Sequence, residues 1–184
     1  MPRLVYERAD VLPMLAEAFR ELGYDGASMA RITEKTGLGK GSLYHFFPGG
    51  KEEMAAAVLA DIDAWFEERV FTPLATLPPR EAVANMWRAV DEYFHAGKRV
   101  CLVGAFALDE TRDRFTGAIG AYFKRWVDVL EATLKKAGVP APRQAALETV
   151  SGIQGAIILA RALNNPAVFV ETTARLRHTG STPP

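Results

Sequence analysis

The chain has 184 residues, of which 49% are apolar and 24% are charged, and its formal net charge is zero. This composition predicts a globular fold with a sizeable core, and it means that any contact with nucleic acid must come from a local basic patch. The single cysteine, Cys101, excludes an intramolecular disulfide and a cysteine-rich zinc cluster, and it fits a reducing cytosol. The first ten residues lack the apolar core of a signal peptide, and no apolar stretch approaches the roughly 20 residues of a membrane span. We therefore expect a cytoplasmic protein with no membrane partner.

Apolar residues recur at spacings of three and four, and Pro and Gly separate the segments, so the sequence predicts an all-α fold of about nine helices. Residues 1–9 are expected to form either a loose arm or a helix kinked at Pro13. Residues 100–110 are expected to form either a short helix or a buried loop. The other helices are predicted over residues 10–22, 28–36, 40–46, 51–71, 80–96, 111–137, 143–164 and 166–178, with a linker at 73–79 and a loose tail at 180–184.

The second and third predicted helices form a helix-turn-helix, because the short turn Gly37-Leu38-Gly39 joins them and the first helix supports them. Ser28 has the chemistry of a helix N-cap. Residues 27–51 have four basic side chains against one acidic side chain, a net charge of +3 that suits phosphate contact. Gly41 and Ser42 have little bulk, which would let the backbone approach DNA closely. From spacing alone, DNA binding and a purely structural helical hairpin remain about equally open.

The run ASMARITEKTGLGKGSLYHFFPGGKEEM, with AEAFRELGYDG before it, resembles the DNA-binding signature of the TetR family of bacterial regulators. The shared features are a capped second helix, a Gly-containing turn, a short helix of small residues that ends in aromatic residues, and a Lys that opens the fourth helix. The Pro-Gly-Gly before Lys51 and the later run RVCLVGAFALDE are similar to the LmrA/YxaF-like branch of that family. The resemblance implies a DNA-binding domain over residues 1–54 and an effector-binding and dimerisation domain over residues 55–184.

The same resemblance implies DNA-binding roles for seven residues. Ser28 would offer its hydroxyl and its helix N-terminus to a phosphate, and Tyr44 and Lys51 would also contact phosphates. Lys40 and the two small residues after it would face base edges in the major groove, where Lys40 could donate to guanine. His45 would lie at the DNA surface. The full set is Ser28, Lys40, Gly41, Ser42, Tyr44, His45 and Lys51.

Residues 55–178 are rich in aromatic side chains on helix faces. Core packing explains any single one of them, whereas the resemblance implies a cavity among the central helices for an unidentified small effector, apolar or aromatic in character. Gln154 is the only polar side chain between Gly152 and Ala160, and it could line that cavity or make one interhelical hydrogen bond. The candidate lining residues are Trp65, Met86, Trp87, Tyr93, Cys101, Phe106, Tyr122, Trp126 and Gln154.

Residues 152–160 are small and apolar around too much of the helix circumference for the surface helix of a monomer. We expect this helix and the last one to pair with their copies in a homodimer, as the resemblance also implies. Two-fold symmetry then predicts a near-palindromic double-stranded operator. The expected mechanism is repression relieved by the effector, with the helix over residues 51–71 as the lever, although an activator would use the same DNA-reading helix. The candidate interface residues are Gly152, Gly155, Ala156, Leu159 and Leu163.

A helical-bundle enzyme or metal-binding protein is the alternative. Glu92 and His95 have the Glu-x-x-His spacing that puts two metal ligands on one helix face, but no second such pair completes a site. A histidine at an exposed helix end is the simpler interpretation. Because the sequence has no phosphate-binding loop and no nucleophile elbow, we predict no enzyme activity, no cofactor and no metal site. A membrane-surface or peptide-binding protein would need a basic amphipathic helix, and the last helix is too mixed in charge.

Overall fold

A computed structural model describes residues 6–108 and 110–178. All regular elements in these ranges are helices, which confirms the predicted all-α fold. The elements are α1 (Arg8–Gly26), α2 (Met29–Thr36), α3 (Lys40–Phe46), α4 (Gly50–Phe66), a π-helical segment (Glu67–Phe71), α5 (Thr72–Thr76), α6 (Pro79–Phe94), α7 (Leu102–Ala107), α8 (Thr111–Lys136), α9 (Pro142–Ala162) and α10 (Ala167–Arg177). Because α4, the π-helical segment and α5 follow one another without a break, the described ranges contain nine separate helices, as predicted. The tail predicted to be loose lies outside the described residues.

α1 begins at Arg8, earlier than predicted, because a capping box closes its first turn. The backbone N–H of Glu7 donates to the Asp10 carboxylate at 2.8 Å, and the Glu7 side chain accepts from the backbone of Asp10 in return. The backbone angles of α1 stay helical at Pro13 and depart from the helix at Gly23 (φ 67°, ψ 172°). Of the two alternatives for residues 1–9, the helix kinked at Pro13 is therefore not observed, and the non-helical angles at Gly23 divide α1 into two helical segments. Residues 1–5 of the alternative, a loose arm, lie outside the described residues.

The helix-turn-helix forms at the predicted residues because its ends are set by local interactions. The Ser28 Oγ accepts the backbone N–H of Arg31 at 3.3 Å, which caps α2. Gly37 ends α2 in the left-handed conformation at φ 70°. Ile32 of α2 and Leu43 of α3 are fully buried, and burying a side chain of this size contributes about 1.5–3 kcal/mol.

The chain divides into two compact units. Unit 1 covers the described residues up to Asp63 together with Leu102–Ile119, and unit 2 covers Ala64–Cys101 together with the described residues from Gly120 onward. In unit 1, α1 packs against α2 and α7; in unit 2, α10 packs against α9 and α6. Both α4 and α8 begin in unit 1 and end in unit 2. This division differs from a single boundary after residue 54.

The predicted linker over residues 73–79 is largely helical. Pro73 occupies the first turn of α5, where its missing N–H costs no hydrogen bond, and α6 begins at Pro79 for the same reason. Before α5, the π-helical segment is tied to α6, because Asn85 Nδ2 donates to the Arg69 carbonyl at 2.9 Å. Of the two alternatives for residues 100–110, the short helix forms, as α7. Across the described ranges, no helix is both long enough and apolar enough to cross a bilayer.

Candidate DNA-binding surface and effector region

α3 has one buried face and one exposed face. Leu43 is fully buried, whereas Tyr44 exposes 40% of its surface, a large fraction for an aromatic side chain. A Cβ on Gly41 would meet no atom within 4 Å, so the backbone at this position is open to a partner. The structure therefore brings the predicted α3 contact residues onto one accessible surface. They are Lys40, Gly41, Ser42, Tyr44 and His45.

The basic side chains around α3 differ in whether they already make ion pairs or hydrogen bonds within the protein. Lys35 forms an ion pair with Glu21 of α1, and the Arg31 guanidinium donates to a backbone carbonyl of the α1–α2 turn at 3.1 Å. Within the described residues Lys40 contacts no carboxylate, and its Nζ lies 5.9 Å from the centroid of the Tyr44 ring. Lys40 is therefore the cation of this surface best placed to meet an anionic partner.

Lys51 is held by Tyr24, a residue that sequence reasoning did not single out. The Lys51 Nζ donates to the Tyr24 carbonyl at 3.0 Å and lies 4.2 Å from the centroid of its ring. Tyr24 is buried against Phe106 and Phe115, with ring centroids 6.0 and 5.6 Å away. Burial raises the pKa of the Tyr24 hydroxyl, and the nearby Arg114 acts in the opposite direction. Because an ammonium group has three donors, Lys51 keeps donors for a phosphate.

The Ser28 hydroxyl uses one hydrogen-bonding position to cap α2 and keeps its O–H donor. Its oxygen accepts the Arg31 N–H as the cap of α2, and its O–H remains available to donate to a phosphate. The side chain is exposed. The capping and phosphate-binding roles predicted for Ser28 are therefore compatible in one geometry.

A cleft of about 300 Å³ opens beside α3. One wall is Tyr6, which precedes α1 and was not among the predicted site residues. No short-range pattern links Tyr6 to α3, because the two are far apart in the sequence. The cleft is lined by Tyr6, Leu38, Gly41, Ser42, His45 and Phe46.

In unit 2, eight aromatic side chains form a connected group, which we call the aromatic cluster. Phe66 is at its centre, with its ring centroid 4.9 Å from that of Tyr93 and 5.1 Å from those of Tyr122 and Trp126. Phe66 was not among the predicted lining residues, because apolar spacing does not show which of several buried aromatic side chains lies at the centre of a group. The cluster consists of Trp65, Phe66, Phe71, Tyr93, Phe94, Tyr122, Phe123 and Trp126. Two further predicted lining residues, Met86 and Cys101, are also buried in unit 2.

Three buried N–H groups of unit 2 have no hydrogen-bond acceptor among the described residues: Trp87 Nε1, Trp126 Nε1 and Gln154 Nε2. Trp126 is completely buried within the aromatic cluster. A buried donor without an acceptor costs about 1–3 kcal/mol. The interhelical hydrogen bond considered for Gln154 is therefore not made by its Nε2, and each of these three N–H groups is free to donate to an oxygen or nitrogen acceptor.

Two predicted lining residues lie apart from the aromatic cluster. Phe106 belongs to unit 1, where its ring packs 6.0 Å from those of Phe19 and Tyr24, so it is not part of the aromatic cluster and its role in an effector pocket stays a prediction. Trp87 lies under the Arg177 guanidinium at 4.5 Å, and Arg177 in turn forms a bidentate pair with Asp91 at 2.7 and 2.9 Å. Apolar periodicity could not separate these two from the others, because it identifies a buried face and not the group that the face joins.

The sequence matches two family descriptions. Residues 15–58 match "Bacterial regulatory proteins, tetR family", and residues 79–175 match "Transcriptional regulator LmrA/YxaF-like, C-terminal domain". The chain belongs to the TetR family. The second match places it in the LmrA/YxaF-like branch, so both resemblances drawn from the sequence are confirmed.

Individual relatives agree with this assignment. The chain is 26% identical over 165 residues to the HTH-type transcriptional regulator LmrA of Bacillus subtilis, covering 86% of this chain and 88% of that protein. It is 29% identical over 136 residues to the HTH-type transcriptional repressor KstR2 of Mycolicibacterium smegmatis, covering 67% and 63%.

Solved structures show the same fold. A TetR regulator from Legionella pneumophila aligns with a TM-score of 0.79 at 18% identity over 98% of each chain. A cysteine mutant of the TetR-family regulator CifR, complexed with double-strand operator DNA, aligns with a TM-score of 0.74 at 21% identity over 100% of each chain.

A TetR-family protein is a DNA-binding transcriptional regulator and not an enzyme, which decides against the enzyme alternative. The geometry of the Glu-x-x-His pair agrees. Glu92 forms an ion pair with Arg69 at 2.9 Å, while His95 lies beyond the end of α6 in the left-handed conformation (φ 49°). The two side chains are therefore not presented together by one helix face. Over residues 6–108 and 110–178, no group of three or more His, Cys, Asp or Glu side chains could hold a metal ion.

The predicted dimer residues of this TetR-family protein separate into an inner and an outer set. Ala156 is fully buried within its own chain, and a Cβ on Gly152 would collide with the Leu176 side chain of α10, so both face inward. Leu159 and Leu163 are 46% and 63% exposed. Further exposed apolar residues accompany them on α9 and α10. We call the exposed set the outer face; it consists of Leu147, Ile158, Leu159, Leu163 and Val170.

Proposed function

We propose that this TetR-family regulator is a homodimeric repressor that inserts α3 into the major groove of a near-palindromic operator and is released by a small aromatic effector. The observation that carries the proposal is the accessible surface of α3. There, Lys40 contacts no carboxylate among the described residues and Tyr44 is 40% exposed on a helix whose opposite face is buried. Charged and aromatic side chains arranged in this way suit phosphates and base edges.

Each residue of this surface has a role that follows from its chemistry. Lys40 donates to guanine O6 and N7, and because Gly41 has no side chain, the reading of sequence depends strongly on Lys40. Tyr44 and Lys51 donate to backbone phosphates, as does the O–H of Ser28. Phosphate contacts of this kind release counterions, so binding should weaken steeply with salt.

The sign of regulation and the docking mode rest on analogy with relatives. KstR2 is named a repressor, and the CifR structure contains operator DNA. We propose the same mode of DNA binding and the same sign for this chain. Action on chromosomal DNA also fits the cytoplasmic location predicted from the sequence.

The outer face supports the homodimer. It exposes five large apolar side chains on α9, on the residue that caps its end and on α10, which is unfavourable for a monomer in water. A two-fold partner presents the same face, so the contact is self-complementary. The dimer then supplies two copies of α3 to two operator half-sites.

The aromatic cluster and two buried donors of unit 2 support a proposal for the chemistry of the effector. Ring faces favour an aromatic compound, and the N–H groups of Trp126 and Gln154 have no acceptor within the described chain. An aromatic compound with an acceptor oxygen or nitrogen satisfies both. The helices α4 and α8 each have residues in both units. Binding of such a compound in unit 2 can therefore shift the conformation of unit 1 and so change the affinity for the operator.

The test is selection of duplexes from a random pool by the full chain, followed by gel shifts at increasing salt. We expect a two-fold symmetric site bound with strong salt dependence. The complex is then challenged with naphthalene and with naphthols, which differ in their hydrogen-bonding groups. A protein that remains monomeric and has no salt-sensitive affinity for any duplex would overturn the proposal.

A further inference from the structure

The first residue of α1 lies against the end of α3 through one arginine. Arg8 Nε donates to the carbonyl of Phe46, the last residue of α3, at 3.2 Å. The guanidinium carbon lies 4.7 Å from the centroid of the Phe47 ring. Arg8 Nη2 also pairs with Glu53 Oε1 of α4 at 3.3 Å. One side chain therefore contacts α3, the residue after it, and α4.

Glu53 completes this arrangement from the other side. Its Oε2 accepts the backbone N–H of Gly49, in the turn between α3 and α4, at 2.7 Å. The next residue, Gly50, has a φ of 68°, and its N–H donates to the Phe47 carbonyl at 2.9 Å. We call the pair Arg8 and Glu53 the brace, because together they hold the end of α3 and the turn that follows.

We propose that Arg8 is a positioning residue for operator recognition, acting through the brace to fix the orientation in which α3 meets DNA. The inference rests on the proposed function, in which α3 enters the major groove. α3 has only seven residues, so its own hydrogen bonds stabilise it weakly and its orientation depends on what anchors it. The carbonyls of its last turn lack helical partners, and a guanidinium placed there satisfies one of them and complements the helix dipole.

The cleft beside α3 supports the same conclusion independently. Tyr6, two residues before Arg8, lines it together with Gly41 and Ser42. Tyr6 therefore lies beside α3, so the contacts around α1 reach the side of α3 and not only its end.

A direct contact of Arg8 with a phosphate is the competing explanation, since its side chain is 51% exposed. Salt dependence separates the two. A residue that neutralises a phosphate contributes about one unit to the slope of log affinity against log salt, whereas a positioning residue contributes none.

The experiment compares Arg8→Ala, Arg8→Lys, Glu53→Gln and the double variant Arg8→Ala/Glu53→Gln in the full chain. The control is Arg112→Ala, which removes the same charge from an exposed arginine of unit 1 that pairs with its neighbour Asp113. The probes are the duplex selected by the wild-type chain and a scrambled version of it. Hydrogen exchange of the free protein and thermal unfolding accompany the gel shifts.

We expect Arg8→Ala to weaken binding of the selected duplex about tenfold, with a smaller loss on the scrambled duplex, an unchanged salt slope and a nearly unchanged unfolding midpoint. Glu53→Gln acts in the same direction, and the double variant is no worse than Arg8→Ala, because both substitutions remove one unit. Arg8→Lys does not restore affinity, since an ammonium cannot hold both acceptors in the geometry of the guanidinium fork. Arg112→Ala leaves the preference between duplexes unchanged.

A fall of about one in the salt slope for Arg8→Ala would identify Arg8 as a phosphate contact and overturn the proposal. Unchanged affinity for the selected duplex would overturn it as well. Hydrogen exchange of the Phe47 and Gly49 amides tests the brace in the free protein, without DNA. Arg8→Ala should accelerate this exchange and Arg112→Ala should not. If the wild-type chain selects no duplex, the proposed function fails; if Arg8→Ala leaves amide exchange unchanged, the brace itself fails.

Discussion

The DNA-facing surface of unit 1 and the aromatic cluster of unit 2 are built in opposite ways. Tyr44 and its neighbours on α3 are exposed and lie within a few residues of one another, whereas Phe66, Tyr93 and Trp126 are buried and come from three different helices. A surface that meets DNA needs donors pointing outward from a stable frame, and a short continuous segment can supply them. A group of rings that packs into one core, and in the proposed function encloses a small molecule, has to draw on helices far apart in the sequence. The contact residues of α3 could therefore be predicted from the sequence, whereas the membership of the aromatic cluster could not.

The largest effect on operator affinity should come from disrupting the proposed dimer interface, because the dimer supplies the second copy of α3. Leu163→Glu puts a charge on the outer face, and we expect a monomer whose affinity for the selected duplex falls by roughly a hundredfold or more, because only one half-site is held. Light scattering and gel shifts measure the two results. The matched control is Leu108→Glu, since Leu108 is 79% exposed and lies in unit 1. If Leu163→Glu stays dimeric, the outer face is not the interface.

The next effect concerns Lys40, the cation best placed on the accessible surface of α3 to meet DNA. Lys40→Ala should reduce the preference for the selected duplex over a scrambled one by about tenfold, since one good base contact is worth about 1–3 kcal/mol. Tyr44→Ala should weaken both duplexes alike, because a phosphate contact is independent of sequence. Gel shifts on both duplexes check this. Equal losses on the two duplexes for Lys40→Ala would remove it from base reading.

The contrast between the two regions also explains which features the sequence could predict. The bounds of α3 and the cap of α2 followed from Ser28 and the glycines around the turn, which act on their own neighbours. The contact of Arg8 with Phe46 joins residues 38 positions apart, and no periodic pattern encodes it. The sequence could not separate Phe106 from the residues of the aromatic cluster, because apolar periodicity shows that an aromatic side chain is buried but not which residues it packs against. Helix α5 was missed because Pro73 was interpreted as a break, although proline is tolerated in a first turn.

A smaller effect should come from the unpaired donor inside the aromatic cluster. Trp126→Phe keeps an aromatic ring and removes the Nε1 donor, so the lost packing is offset by the relief of a buried unsatisfied group, and we expect the free energy of unfolding to change by only about 1 kcal/mol. The response of the DNA complex to compounds with an acceptor atom should weaken more than its response to naphthalene. Chemical unfolding and effector titrations measure the two quantities. A variant that responds to both classes as the wild type does would show that Nε1 holds no ligand.

The smallest effect is a dependence of stability on alkaline pH. Burial raises the pKa of Tyr24 above its usual 10.0, so the folded state retains the proton more tightly than the unfolded state does. The protonated hydroxyl contributes fully to the free energy of unfolding at a pH below the usual tyrosine pKa. This contribution is lost as the pH rises through the raised pKa of Tyr24 in the folded state. Tyr24→Phe has no such group, so its stability relative to the wild type should improve as the pH is raised past about 10. Unfolding in denaturant at a series of pH values measures the difference, and a constant difference would show that the hydroxyl is not desolvated.

A π-helical turn holds one residue more than the α-helical turn that it replaces. The segment Glu67–Phe71 therefore marks a single-residue insertion in the continuous helical rod that runs from Gly50 to Thr76. Removing one residue from it would rotate the side chains of α5 by about 100° around the axis of the rod, since each helical residue advances by that angle. The number of residues in this segment thus sets which side of the helix carries the apolar residues beyond Phe71. Homologues without the extra residue should align with a gap of one position there, and their apolar residues should follow a shifted pattern after it.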